Sequence, residues 1–223
     1  MLVLWDIDGT LLVRASDAHR DAIHAALKRV YHVADPAKAR VEAAGRTDLQ
    51  IARSILLQLG VSATRIDDKL TDFKRTAVDE YARRCPADLS SHVVPGIPDL
   101  LASLAERDDV VLSLVTGNLQ AIAHRKLDAA GIGRFFARGQ GGFGSDHEDR
   151  TELPEMARTR AGRPGQPYPR EDTVVVGDTP LDIACARADG VRCIAVTTGP
   201  YGPDDLAGAD GIATSASELA ALL

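Results

Sequence analysis

A chain of 223 residues, 45% hydrophobic and 26% charged, has globular composition and enough length for one sizeable domain, or for one domain carrying a smaller insertion. Its formal net charge of -6 argues against nucleic acid or an anionic membrane as the main partner. The first apolar run has no basic residues before it and is broken at Asp6, so no signal peptide or membrane span is expected there and a cytoplasmic protein is the default. Cys85, Cys185 and Cys193 are too dispersed for a disulfide framework or a zinc site and are expected to be buried thiols.

Met1 to Trp5 reads as a short buried strand. It delivers two aspartates at alternate positions, Asp6 and Asp8, into Gly9-Thr10, where the chain must turn. Carboxylates crowded at the end of a buried strand repel one another unless a cation lies between them, and a divalent ion is the obvious candidate. After Leu12 the pattern becomes helical. Ser16 and Asp17 are placed to cap a helix whose apolar face carries Ile23, Leu27, Val30 and Tyr31 and which ends before Asp35-Pro36. A second helix is predicted from Asp48 to Leu59, stopped by Gly60, and a third from Thr64 to Cys85-Pro86, with Thr64 and Asp67 as its capping signal. Residues 15–90 therefore read as all helical.

Beyond the linker Leu89 to Gly96, helix and strand alternate. A short helix from Pro98 to Glu106 precedes Val110 to Val115, a continuous apolar run of the kind a two-sided buried parallel strand requires. That run ends in Thr116-Gly117-Asn118. A helix from Leu119 to Ala130 follows, then a weaker strand at Arg134 to Arg138 leading into the glycine-rich Gly139 to Gly144, and helical periodicity resumes near Thr151. Thr173 to Val176 is the cleanest strand and ends in Gly177-Asp178-Thr179-Pro180, with Pro180 well placed to begin the helix that carries Asp182. Arg192 to Val196 reads as strand, Gly211 to Ala213 as an edge strand, and Ser217 as the start of a terminal helix.

This alternation predicts an α/β fold, a doubly wound, Rossmann-like parallel sheet with a helical insertion after its first strand. The expected division is a core of residues 1–14 and 91–223 and a helical unit of residues 15–90. Ligands of such sheets bind beyond the carboxyl ends of the strands, where strand order reverses. Three strand ends carry suitable residues: Asp6 and Asp8, Thr116 to Asn118, and Asp178 with Asp182. Carboxylates without a matching His or Cys favour a hard cation, magnesium rather than zinc. The Thr116 hydroxyl, with Gly117 and Asn118 at a helix start, suits an anion, so the two groups together describe a phosphate pocket.

In this order Asp6-Ile-Asp8-Gly9-Thr10, Thr116 and Gly177-Asp178-Thr-Pro-Leu-Asp182 closely resemble the motifs of the haloacid dehalogenase superfamily. The resemblance spans the chain, including a helical cap inserted between the first two motifs, and Asp8 points to the phosphoryl-transfer branch. It implies that Asp6 is the nucleophile, forming an aspartyl phosphate, and that Asp8 is first general acid and then general base, its carbonyl binding the metal. It implies Mg2+ held by Asp6, Asp8 and Asp178, with Asp182 as a further ligand or as support behind the ligands. It implies Thr116, Gly117 and Asn118 on the phosphate.

The usual phosphate-binding lysine is missing, since no lysine follows Lys126. An arginine is expected in its place. Arg150 is the choice, with Arg138 and Arg158 behind it, whereas His147 is expected in solvent. In the cap, Arg46 within Gly45-Arg46-Thr47-Asp48 would reach a carboxylate or second anionic group of the substrate; otherwise Thr47 or Asp48 caps a helix with Arg46 in solvent. The cap would hinge at residues 13–16 and 88–95. The pattern is closest to phosphoglycolate phosphatases, acting on a small phosphorylated metabolite as a monomer or homodimer. A sugar phosphomutase would use the same aspartates. A non-catalytic phospho-acceptor module would need no cap, and a phosphonate hydrolase would need a Schiff-base lysine that the cap does not offer.

Overall fold

The computed structural model describes all 223 residues. Six parallel strands form one sheet in the order β3-β2-β1-β4-β5-β6. They are β1 (Leu2–Trp5), β2 (Val111–Thr116), β3 (Gly142–Phe143), β4 (Thr173–Gly177), β5 (Arg192–Val196) and β6 (Gly211–Ala213). β1 lies at the centre, with Trp5 level with Leu114 on one side and Val176 on the other. Strand order reverses between β1 and β4, which puts Asp6 and Asp178 side by side at the position where this topology opens a crevice. Every side chain of β1 is buried, as a central parallel strand requires.

The helices are α1 (Asp17–Tyr31), α2 (Asp48–Gln58), α3 (Ala63–Asp68), α4 (Leu70–Arg84), α5 (Ile97–Ala105), α6 (Gln120–Ala129), α7 (Leu153–Ala161), α8 (Pro180–Asp189) and α9 (Ala216–Leu222). Two apolar cores cover the two faces of the sheet. One includes Val3, Trp5, Leu112, Leu114, Val174 and Val176, the other Leu2, Leu4, Val115, Val175 and Cys193. A third belongs to α1–α4 and centres on Leu27, Tyr31, Leu56, Phe73 and Tyr81. Leu119 and Ile122 of the α6 segment join that third core, so α6 serves the sheet and the inserted helices at once.

Three local expectations fail. The single helix expected from Thr64 is two: Ser62, not Thr64, caps α3 by accepting from the Arg65 N–H, and the chain breaks at Lys69, whose φ of -110° is not helical. The strand expected at Arg134 to Arg138 is absent; Gly133–Phe135 is a 3-10 turn. The third strand lies instead in the glycine-rich stretch, where Gly142 lets the chain pass against the Leu153 backbone. Ser16 precedes α1 without capping it through its side chain. Of the thiols, Cys185 and Cys193 are buried and Cys85 is half-buried, all three free. No helix is long and apolar enough to cross a membrane.

Candidate active site

The crevice at the carboxyl ends of β1, β2 and β4 has a volume of about 600 Å3 and is lined from both the sheet and the inserted helices. Asp6 continues β1, its N–H bonded to the Val176 carbonyl at 2.9 Å, so the strand itself aims this carboxylate. Gly9, at φ 96°, turns the chain away under Asp178; a Cβ here would overlap the Asp178 carboxylate. Thr10 Oγ1 donates to Asp178 Oδ1 at 3.1 Å. Asp6, Asp178 and Asp182 each offer an oxygen within 4.8 Å of the others. Buried carboxylates packed this closely resist ionisation. Asp6 is pushed up to about 7, by burial first and then by Asp182 and Asp8 against the pull of Arg150; Asp178 is pushed up to about 8, by burial, Asp6 and Asp182. An all-oxygen set with surplus negative charge fits a hard divalent cation, which would relieve that repulsion.

Arg150 enters from a 3-10 turn, Arg150–Glu152, that Asp149 caps through the Thr151 N–H. Its Nη2 donates to Asp6 Oδ1 at 2.9 Å and also to Asp182 Oδ1. Burial disfavours its charge, yet Asp182 and Asp6 outweigh that and hold the guanidinium protonated. Its Nε is buried without a partner, a donor left over beside the nucleophile candidate. Arg138 lies on the surface paired with Asp128, and Arg158 is locked to Asp189 and the Tyr168 carbonyl, so neither reaches the crevice. His147 is exposed. Asp182 is heavily committed: its Oδ2 accepts from the Thr179 N–H at 3.0 Å and the Thr179 hydroxyl at 2.7 Å, closing a capping box at the start of α8, while its Oδ1 holds Arg150.

The opposite wall is built by β2. Thr116 is fully buried, its Oγ1 accepting from the Asn118 N–H at 3.3 Å, and it does not line the crevice; Gly117 and Asn118 do. Asn118 Nδ2 donates to Asp8 Oδ2 at 2.8 Å. Arg46 lines the crevice with no side-chain partner, and Thr47 caps α2 by accepting from the Gln50 N–H. The loop is pinned to the sheet. Asp48 N–H bonds to the Gly117 carbonyl at 2.7 Å, the Leu119 N–H donates to Asp48 Oδ2 at 2.7 Å, and the Thr47 hydroxyl donates to the Glu148 carbonyl at 2.6 Å.

Four residues at the crevice wall or directly behind it are not foreseen in the sequence. Lys126, fully buried on α6, pairs with both Asp8 oxygens at 2.8 and 2.6 Å; burial pushes Asp8 up, but Lys126, His19 and the Asn118 amide together hold the carboxyl below the usual range. The available signal was a lysine on the face that also carries Ile122, Ala123 and Leu127. His19 bonds Asp48 at 3.0 Å, an ordinary helix residue by pattern alone. Thr198 donates to the Gly9 carbonyl, and Gly199 packs on Asp178, from a loop with no local motif.

Residues 3–187 match the family described as haloacid dehalogenase-like hydrolase, and the chain belongs to that family. It is similar to phosphoglycolate phosphatase 1 of Pseudomonas aeruginosa, 27% identical over 205 residues covering 89% of this chain and 70% of the relative. It is also similar to phosphoglycolate phosphatase of Vibrio cholerae, 26% identical over 211 residues covering 94% and 89%. Among solved structures, a predicted phosphatase from Clostridium acetobutylicum shares the fold with a TM-score of 0.67 at 20% identity, covering 99% of this chain and 96% of that one.

Proposed function

We propose that this hydrolase is a Mg2+-dependent phosphatase of a small phosphomonoester. The observation that carries the reading is Arg150 Nη2 bonded to Asp6 beside the Asp6, Asp178 and Asp182 cluster, which places a fixed cation and a cation-seeking carboxylate site around one candidate nucleophile. Asp6 attacks phosphorus, the P–O bond to the leaving group breaks, and Asp8 gives that oxygen a proton; water then attacks the aspartyl phosphate and Asp8 takes its proton back. Arg150 and the donors of Gly117 and Asn118 bind the equatorial oxygens, whose charge must be offset throughout. Asp6, the Asp8 carbonyl and Asp178 would hold the magnesium, with Asp182 supporting Arg150 behind them. The ion supplies charge neutralisation for the phosphate and for the crowded carboxylates.

The relatives' phosphoglycolate carries a carboxylate as well as a phosphate, and Arg46, unpaired on the crevice wall, is suited to such a second anionic group. Residues 15–90 act as the cap. The two connecting segments run side by side, Val13 N–H bonded to the His92 carbonyl and Val94 N–H to the Leu11 carbonyl, and Arg14 sits at φ 55°, unusual for a residue with a side chain. Phosphate release from a panel of phosphomonoesters, with magnesium and with chelator, tests the reading. Release from carboxylate-bearing esters that stops with chelator is expected. Interconversion of sugar phosphates without release would replace it with a mutase.

A further inference from the structure

We infer that Lys126 is a positioning residue for the water-activating half of the reaction, holding Asp8 as an oriented carboxylate; this rests on the phosphatase reading above. Lys126 sits in the middle of α6 with no exposed surface, does not line the crevice, and so cannot touch substrate. Its Nζ contacts both Asp8 oxygens, at 2.8 and 2.6 Å, and Asn118 Nδ2 contacts Oδ2 at 2.8 Å. A carboxylate oxygen accepts about two hydrogen bonds, so Oδ2 is filled and Oδ1, with one, keeps a lone pair free. Oδ1 is therefore the atom that takes the water proton.

In that step the water oxygen bonds to phosphorus, the phosphorus bond to Asp6 breaks with its electron pair returning to the Asp6 carboxylate, and the proton passes to Asp8. Lys126 keeps its own protons throughout. The contacts fix the plane of the Asp8 carboxyl and leave the open lone pair of Oδ1 as an acceptor, so the pair serves the half-reaction in which Asp8 accepts the proton. Its buried neighbours Ile122, Ala123 and Leu127 on α6 offer an ammonium no partner, and Lys126 is paired only through Asp8.

The test is steady-state kinetics of Lys126→Met on an ester that the wild type hydrolyses, with acid-quench measurement of aspartyl phosphate. If only the second half slows, kcat and KM fall together, by roughly 10- to 100-fold on the scale of general-base effects. The ratio kcat/KM is then kept within about threefold and the phosphorylated fraction rises. Lys126→Arg, which retains a charged two-pronged donor, recovers part of kcat and remains informative where the Met variant folds poorly. A fall in kcat/KM equal to the fall in kcat, or unchanged kinetics in both variants, overturns the role of Lys126. A wild type that releases phosphate from no ester overturns the phosphatase reading and this inference with it.

Discussion

Arg150 gives one nitrogen to two buried carboxylates, Asp6 and Asp182, so removing it acts on chemistry and on folding at once. For Arg150→Ala, kcat/KM is expected to fall about 10^2- to 10^3-fold, as for loss of one preorganised donor to a transferring group. In chelator, urea unfolding of the same variant is expected to show a loss of about 3–5 kcal/mol, the cost of stripping a buried pair of its cation. Magnesium offsets part of that second loss. Near-normal kinetics would move the phosphate contact to another group. The arginine's position was legible because, of the five arginines between β3 and β4, Arg150 alone stands directly before a helix. Lys126 was not, because a helical pattern shows that a face is buried but not which strand end lies beneath it; Asp8 is 118 residues away in sequence.

The loop ahead of α2 approaches the sheet by backbone, which the glycines at 117 and 144 permit. A Cβ at Gly117 would overlap the Arg46 carbonyl, and one at Gly144 would overlap the Gly117 carbonyl. Gly117→Ala should therefore push residues 45–48 off the core, destabilise the protein by about 1–3 kcal/mol in urea unfolding, and raise KM as Arg46 is displaced. An unchanged KM would separate this loop from substrate binding. Such close passages explain which elements could be read in advance. β1, β2 and β4 announce themselves as apolar runs, because a strand buried on both faces needs them. β3 does not: two residues long and glycine-rich, it exists through its pairing with Val115 and Thr116. The break between α3 and α4 was hidden for a related reason, since Ile66, Leu70 and Phe73 keep a helical spacing across it.

For the whole molecule, the carboxylate cluster couples stability to pH and to metal. Asp6 and Asp178 have folded values of about 7 and about 8 against 3.8 for an ordinary aspartate, so the folded chain binds more protons than the unfolded one in between. Stability of the metal-free protein should then fall as pH rises from about 4 to about 8. Saturating magnesium should flatten that fall and raise the unfolding temperature at pH 8, since a ligand bound only to the folded state stabilises it. A metal-free protein most stable at pH 8 would contradict the shared cluster. The overall arrangement was legible because the order of strands and helices allows few topologies, and the reversal beside β1 follows from it. The joining of the two layers through α6 was not, since Leu119 and Ile122 look the same in sequence whichever core they enter.

Covalent transfer of phosphate to Asp6 is tested most directly by acid-quenching the protein with a phosphate-labelled ester and magnesium, then locating the label by peptide mass spectrometry. Label on the peptide carrying Asp6, absent with chelator and absent in Asp6→Asn together with turnover, is the predicted result. Wild-type turnover by Asp6→Asn, or label on another residue, would contradict it.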